Sequence, residues 1–187
     1  MVIRVPRGAG ILCEAREFKL SVDPTSPSAK ANLVLETKTD WPNSSDDLNL
    51  IRGAGEYEVA GVRIRGISLT KEEDSKHLRT AYVVLFDELN LCFLPSLKNG
   101  IDDDVLEKIG EIDVLFINNG NETKKVIQLI RNIDPRAVVF ISGVKKDAEA
   151  LSKELGQPLD PLDRVSIKFK DLNDEETKLI WLTIKEK

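Results

Sequence analysis

The side chains of this chain that could do chemistry are mainly carboxylates. Asp40 lies in a polar stretch beside Trp41, and Glu56 follows a Gly-Ala-Gly sequence. Hard divalent cations prefer carboxylate oxygens, so Asp40 and Glu56 could together form an oxygen-rich metal site. Solvated or salt-bridged carboxylates are the simpler interpretation. The acidic runs 102–104 and 171–176 are likewise typical of a helix start and an exposed turn.

Nucleophiles and proton carriers are scarce. His77 is the single histidine among 187 residues, so a mechanism that needs several imidazoles is excluded. It lies in the charged segment 70–79, which predicts an exposed loop histidine. Cys13 and Cys92 lie in apolar stretches, which is typical of buried, reduced thiols in a cytoplasmic protein. Lys38 could act as a nucleophile or base only from a buried, uncharged state, and its polar surroundings oppose burial.

The elements that must position these residues change in character along the chain. In the first half, short runs rich in Val, Ile, Leu and Phe are separated by turn residues, and Val62 to Ile67 alternates with period two. This pattern predicts a mainly antiparallel sheet. Asp87-Glu88 is predicted to join the strands 80–86 and 89–94 as a tight hairpin turn.

The second half predicts alternating strands and helices. Helices are expected from Asp102 to Gly110, from Glu122 to Ile133 and from Asp147 to Leu155, with buried strands 112–117 and 137–141 between them. Such a succession implies a parallel sheet with right-handed crossovers. Two further strands, joined by an acidic turn, are predicted near the end. The whole chain, residues 1–187, is expected to form one α/β domain.

Composition excludes several classes of partner. The chain has 41% hydrophobic residues, enough for a core, and a net charge of −5. Binding to nucleic acid requires clustered Lys and Arg, so a nucleic-acid partner is not expected. No apolar run is long enough to span a bilayer, and no membrane role is expected. We therefore expect a cytoplasmic protein.

Several stretches, read in order, resemble the metallo-β-lactamase fold superfamily, in particular its small hydrolase-like branch related to L-ascorbate-6-phosphate lactonase. The likeness spans essentially the whole chain and rests on the segments 18–24, 31–37, 53–67, 109–117 and 133–139. It implies a four-layer αββα sandwich in which mixed β-sheets are flanked by helices. It also implies a hydrolase whose metal ions are bound by a Thr-His-x-His-x-Asp-His loop, a Leu-Gly-Asp turn and a later histidine.

The sequence departs from that pattern at every ligand position. After Thr37, the four loop positions that carry His, His, Asp and His in the family are substituted. The turn reads Leu-Pro-Ser, and the last histidine is replaced by Ser-Gly. The substituted positions are Lys38, Asp40, Pro42, Asn43, Ser96 and Ser142. Only Asp40 among them offers a charged oxygen, so no metal cofactor is expected.

Two functions remain in competition. The favoured one is a catalytically degenerate member that binds a protein partner or a small ligand, with Trp41 either anchoring that partner or covering the vacated pocket. Homo-oligomerisation is also expected, because members of that branch assemble and an edge strand near the C-terminus needs covering. The alternative is a hydrolase of a phosphorylated or lactone-like metabolite that uses zinc or another divalent metal at Asp40 and Glu56.

Overall fold

The computed structural model describes residues 1–8, 10–26, 30–40, 42, 49–118, 122–173 and 176–184. Two sheets face each other. The first has six strands in the order β14-β1-β2-β3-β4-β6, and the second has nine, in the order β13-β15-β12-β11-β10-β9-β8-β7 with β5 paired to β9.

The strand and helix bounds are as follows. The first sheet contains β1 (Val2–Arg4), β2 (Ile11–Ala15), β3 (Phe18–Val22), β4 (Leu33–Glu36), β6 (Leu50–Arg52) and β14 (Arg164–Ser166). The second contains β5 (Lys38–Asp40), β7 (Gly55–Val59), β8 (Val62–Ser68), β9 (His77–Phe86), β10 (Leu89–Phe93), β11 (Val114–Asn118), β12 (Ala137–Ile141), β13 (Pro161–Leu162) and β15 (Lys178–Leu182). The helices are α1 (Asp103–Ile109), α2 (Thr123–Ile133) and α3 (Lys145–Leu155), with short 3-10 helices at Thr70–Glu72 and Phe169–Asp171.

Both sheets are mixed. Strands β7 to β10 pair antiparallel, and the predicted hairpin turn is confirmed by positive φ angles at Asp87 (51°) and Glu88 (68°). Strands β10, β11, β12 and β15 pair parallel, as the alternating strands and helices predict. The prediction for the first half needs one correction, because its strands divide between two sheets and β3, β4 and β6 pair parallel.

The two strands predicted near the end of the chain do not pair with each other. β14 pairs with β1 in the first sheet, whereas β15 pairs with β12 in the second. The polar chain between them therefore crosses from one sheet to the other instead of forming a tight turn. Local sequence could not reveal this, because both strands complete sheets that begin far away in the chain.

The core has two layers. One fills the space between the sheets, and the other lies between the second sheet and the helices. The predicted apolar stripe of α2, from Val126 to Ile133, is buried in the second layer, and α1 and α3 contribute to the same layer. In the described part of the chain, all three helices thus cover the second sheet. None of the helices described there is long and apolar enough to cross a membrane.

The two cysteines are free and buried, as predicted. Burial raises the pKa of the Cys92 thiol to about 12 and raises that of Cys13 as well, because a thiolate would lose its hydration. Both side chains are therefore held as neutral thiols. The packing gives neither thiol a role as a nucleophile.

Candidate functional site

The candidate site lies at one edge of the second sheet. Parallel strands β10, β11, β12 and β15 all end at this edge, which is where ligands bind in open α/β sheets. β9 runs antiparallel to β10, so its first residue, His77, lies at the same edge. β5 pairs with that end of β9. We call the surface formed by β5, His77, Arg79, Ser96 and Ser142 the site edge.

The pairing of β5 with β9 decides which side chains meet there. Lys38 lies opposite Arg79, and Asp40 lies opposite His77. Side chains opposite each other in an antiparallel pair project from the same face with Cβ atoms about 5 Å apart. The site edge therefore carries a pair of cations next to an aspartate–histidine pair.

His77 makes contacts that its segment did not predict. It begins β9, and its side chain is only 25% exposed, so the prediction of an exposed loop histidine was wrong. Nδ1 lies 2.8 Å from Oδ1 of Asp74, and Nε2 lies 3.4 Å from Oδ1 of Asp40. The two ring nitrogens point away from each other, so these carboxylates cannot share a metal ion with the imidazole.

The contact between His77 and Asp74 has an electrostatic consequence. Hydrogen bonds from the His77 side chain and from the Lys76 backbone N–H lower the pKa of Asp74 to about 2. A carboxylate whose pKa is depressed by folding stabilises the fold above its unfolded pKa, and this stabilisation is lost as the pH falls through the folded pKa.

We therefore expect Asp74→Asn to be less stable than the wild type at pH 6, with the difference shrinking between about pH 4 and about pH 2. Denaturant unfolding at pH 6, 4, 3 and 2.5 measures this difference. Asp104→Asn, at an exposed position on α1, is the control and should show no such convergence. A constant stability difference between Asp74→Asn and the wild type across this pH range would contradict the lowered pKa of Asp74.

Arg79 is a site residue that the sequence did not identify. It is 9% exposed, and its Nη1 donates a hydrogen bond to the Ser96 carbonyl oxygen at 3.2 Å. Its Nε is buried, and none of the described residues accepts a hydrogen bond from it. In the part of the chain that the structure describes, neither Arg79 nor Lys38 forms an ion pair. Arg79 directly precedes the predicted strand 80–86, and a charged residue at such a boundary gives no sign of being buried.

Glu72 is a second residue that the sequence analysis missed. It is 6% exposed and belongs to the 3-10 helix before β9. Its carboxylate accepts hydrogen bonds from the backbone N–H groups of Lys98 (2.8 Å), Asn99 (2.5 Å) and Gly100 (3.1 Å). Glu72 thus fixes the loop that follows β10, which includes the Ser96 carbonyl that accepts the hydrogen bond from Arg79.

The remaining positions predicted to correspond to the family's ligand motif offer little to a metal. The Ser142 hydroxyl is engaged locally, accepting from the Val144 N–H at 2.9 Å and donating to the Val144 carbonyl at 3.2 Å. The Ser142 carbonyl accepts the indole N–H of Trp181 at 2.9 Å. Pro42 is exposed and has no donor atom in its side chain. Trp41 and Asn43 lie outside the described residues, so the predicted binding contact of Trp41 stays a prediction.

The structure does not bring Asp40 and Glu56 together. Asp40 lies opposite His77 on β9, whereas Glu56 lies opposite Arg65, which in turn lies opposite Val83 of β9. Six residues of β9 separate these two points, a distance of about 20 Å along a strand. A metal ion cannot be bound by both carboxylates, so this oxygen-rich site is not formed.

The site edge does not fit the metal ions that the family motif implies. Across the described ranges, no group of three His, Cys, Asp or Glu side chains is placed to hold one ion. A zinc site needs about three protein ligands at about 2.0–2.2 Å plus an open position for water. Asp40 is the one charged oxygen donor at a described motif position, and two cations stand beside it.

The fold is shared with several solved structures. A protein from Thermotoga maritima, assigned to the Zn-dependent hydrolases of the metallo-β-lactamase superfamily, matches with a TM-score of 0.78 and 19% identity over 98% of this chain and 99% of its own. An assigned metal-dependent hydrolase from Parabacteroides distasonis matches with a TM-score of 0.60 and 14% identity over 82% and 87%. The metallo-β-lactamase fold protein YhfI from Bacillus subtilis matches with a TM-score of 0.59 and 7% identity over 97% and 95%. Identities this low show a common fold alone.

Sequence comparison gives the family directly. None of the curated proteins matches this chain. The family model described as the beta-lactamase superfamily domain matches residues 6–142, well over half of the chain. This span runs from β2 to the end of β12. Together with the two mixed sheets and the helices that cover one of them, this match means that the chain belongs to the beta-lactamase superfamily, in its metallo-β-lactamase fold.

Proposed function

We propose that this protein acts by binding a small ligand at the site edge, and that it does not act through metal-activated water. The observation that carries the proposal is the pairing of Lys38 with Arg79 where the family motif would place metal ligands. Fixed positive charges at this position repel a divalent cation. In the described residues, no set of imidazoles or carboxylates at this position offsets the repulsion.

The contacts of the His77 ring nitrogens support the same function. A metal-binding imidazole needs a neutral ring nitrogen free to face the metal. Here Nδ1 contacts Asp74 and Nε2 faces Asp40, so both nitrogens are directed at carboxylates. The imidazole thus links β5 to the segment that precedes β9. This link gives the ring a structural role in holding the beginning of β9.

The alternative, a hydrolase with a rebuilt oxygen-rich site, receives no support from the geometry. It requires Asp40 and Glu56 in one coordination sphere, and the strand register separates them by about 20 Å. A hydroxide held by a metal would also need an ordered set of ligands around it. Asp40 alone, with a side chain 80% exposed, supplies one.

The proposal is tested by the metal content of protein purified without a chelator or an affinity tag. We expect less than about a tenth of an equivalent of zinc, manganese or iron by plasma mass spectrometry. We expect the same value for Asp40→Asn, and no hydrolysis of phosphate esters or lactones when each metal is added. Near-stoichiometric metal that is lost in Asp40→Asn would refute the proposal and favour the hydrolase.

A further inference from the structure

We propose that Lys38 and Arg79 form a binding site for an oxyanion, the phosphate or carboxylate group of a small molecule. This inference deepens the proposed function and rests on it, because it names the chemical class of the ligand. It starts from an unexplained feature of the described residues. Arg79, which is nine-tenths buried, has no carboxylate partner among them and lies directly opposite Lys38.

Such an arrangement is unfavourable in the empty protein. Like charges directly opposite each other on two strands destabilise a sheet. A buried guanidinium whose charge and N–H groups are not all matched is more costly still, because it has lost its hydration. Nε of Arg79 is one such group, since it is buried and no described residue supplies an acceptor for it. An anion between the two side chains would offset their repulsion and match the charge of the guanidinium.

The geometry of Arg79 suits an oxyanion. Its Nη1 is already bonded to the Ser96 carbonyl, which fixes the plane of the guanidinium. A fixed guanidinium binds phosphate or carboxylate oxygens with two parallel N–H donors. Lys38 is exposed on the same face of the strand pair and supplies a second charge from the solvent side. Oγ1 of Thr39 is also buried without a partner among the described residues, but it lies on the opposite face and takes no part.

The carboxylates on this side of the sheet do not neutralise the two cations. Asp40 is the nearest along β5, and its Oδ1 faces Nε2 of His77. Asp74 is bonded to the other nitrogen of the same ring. Glu72 is turned toward three backbone N–H groups of the loop after β10. Among the residues that the structure describes, no carboxylate thus pairs with Lys38 or Arg79, and both can bind an anion from solution.

The test measures the thermal unfolding of the metal-free protein with added inorganic phosphate or acetate. Sodium chloride at the same ionic strength is the reference, which removes the general effect of salt. At a saturating concentration, we expect one or both anions to raise the Tm by about 5 °C. Titration calorimetry with each anion then gives the affinity, and the stronger of the two identifies the group.

Two variants locate the site. Arg79→Met should abolish the rise in Tm, and its own Tm without anion should equal or exceed that of the wild type because an unpaired buried charge is removed. Lys38→Gln changes an exposed side chain and should weaken anion binding roughly tenfold. Arg63→Met and Lys178→Gln, both exposed on the same sheet away from the site edge, are matched controls that should bind like the wild type.

The outcomes separate this inference from the proposed function. If neither anion raises the Tm of the metal-free protein, or if Lys38→Gln and Arg79→Met respond like the wild type, the oxyanion site is refuted and the metal-independent function still stands. If the anions act only after zinc is added, and act equally on Arg79→Met, a metal binds the anion and both proposals are refuted.

Discussion

Replacing Glu72 with alanine is expected to lower the free energy of unfolding by about 3–4 kcal/mol. Its carboxylate is the shared acceptor for three successive backbone N–H groups, at residues 98–100. Hydrogen bonds to a charged acceptor contribute more than neutral ones, and each buried donor left without an acceptor adds a penalty of about 1–3 kcal/mol. Denaturant unfolding at pH 7 measures the loss.

The neighbouring residue provides the control for this prediction. Glu73 accepts a single hydrogen bond, from the Ser68 hydroxyl at 2.7 Å, and Glu73→Ala should cost about 1 kcal/mol or less. Glu72→Gln retains an acceptor oxygen, so its stability cost should lie between those of Glu72→Ala and Glu73→Ala. Because Glu72 fixes the loop that contains Ser96, Glu72→Ala should also weaken anion binding at Arg79. Equal costs for Glu72→Ala and Glu73→Ala would contradict this role.

The second large effect is expected at Asp23, which directly follows β3. Its Oδ1 accepts the Thr37 N–H at 2.7 Å and its Oδ2 accepts the Thr37 hydroxyl at 2.6 Å. Asp23 also has a positive φ of 52°, a conformation that alanine adopts with strain. Asp23→Ala should therefore lower the free energy of unfolding by roughly 3 kcal/mol, from two lost acceptors and the backbone strain. Because Thr37 immediately precedes β5, the variant should also loosen the site edge.

Asp23→Asn separates the hydrogen bonds from the charge. Burial raises the pKa of Asp23 because the ionised carboxylate is poorly hydrated there. A carboxyl whose pKa is raised by folding destabilises the fold as the pH rises from its unfolded pKa through its folded one. Asn tolerates positive φ and carries no charge, so Asp23→Asn should match or exceed the wild type at pH 7. The free energy of unfolding of the wild type, relative to that of Asp23→Asn, should increase as the pH is lowered toward 4. A decrease over this range would contradict the buried, charged state of Asp23.

Local sequence patterns predicted much of the fold. The stripe of α2, the buried strands β11 and β12 and the turn at Asp87-Glu88 each have a signature within a few residues, and the structure confirms them. The resemblance to the metallo-β-lactamase superfamily was also sufficient to predict two mixed sheets with helices. These features depend on periodicity and on turn chemistry, which a single sequence displays.

The site edge could not be predicted to the same extent. Lys38 to Asp40 contains no apolar alternation, so nothing local indicates that it pairs with β9. The burial of Arg79 and Glu72 arises from segments that are distant in the chain, and a charged residue is usually predicted to be exposed. The environment of His77 likewise depends on Asp40, which is 37 positions away. Motif comparison predicted which ligand positions are substituted at this edge, whereas the strand register showed which side chains lie there.

Direct titration with zinc tests the central claim that cations, and not metal ligands, occupy the site edge. In competition with a chromogenic chelator, we predict that the protein binds zinc no more tightly than about 100 µM, and that Asp40→Asn leaves this unchanged. Lys38→Gln should not create a strong zinc site either, because the variant still lacks a set of His, Cys or carboxylate ligands. Binding of one equivalent of zinc below about 1 µM, weakened by Asp40→Asn, would contradict the claim.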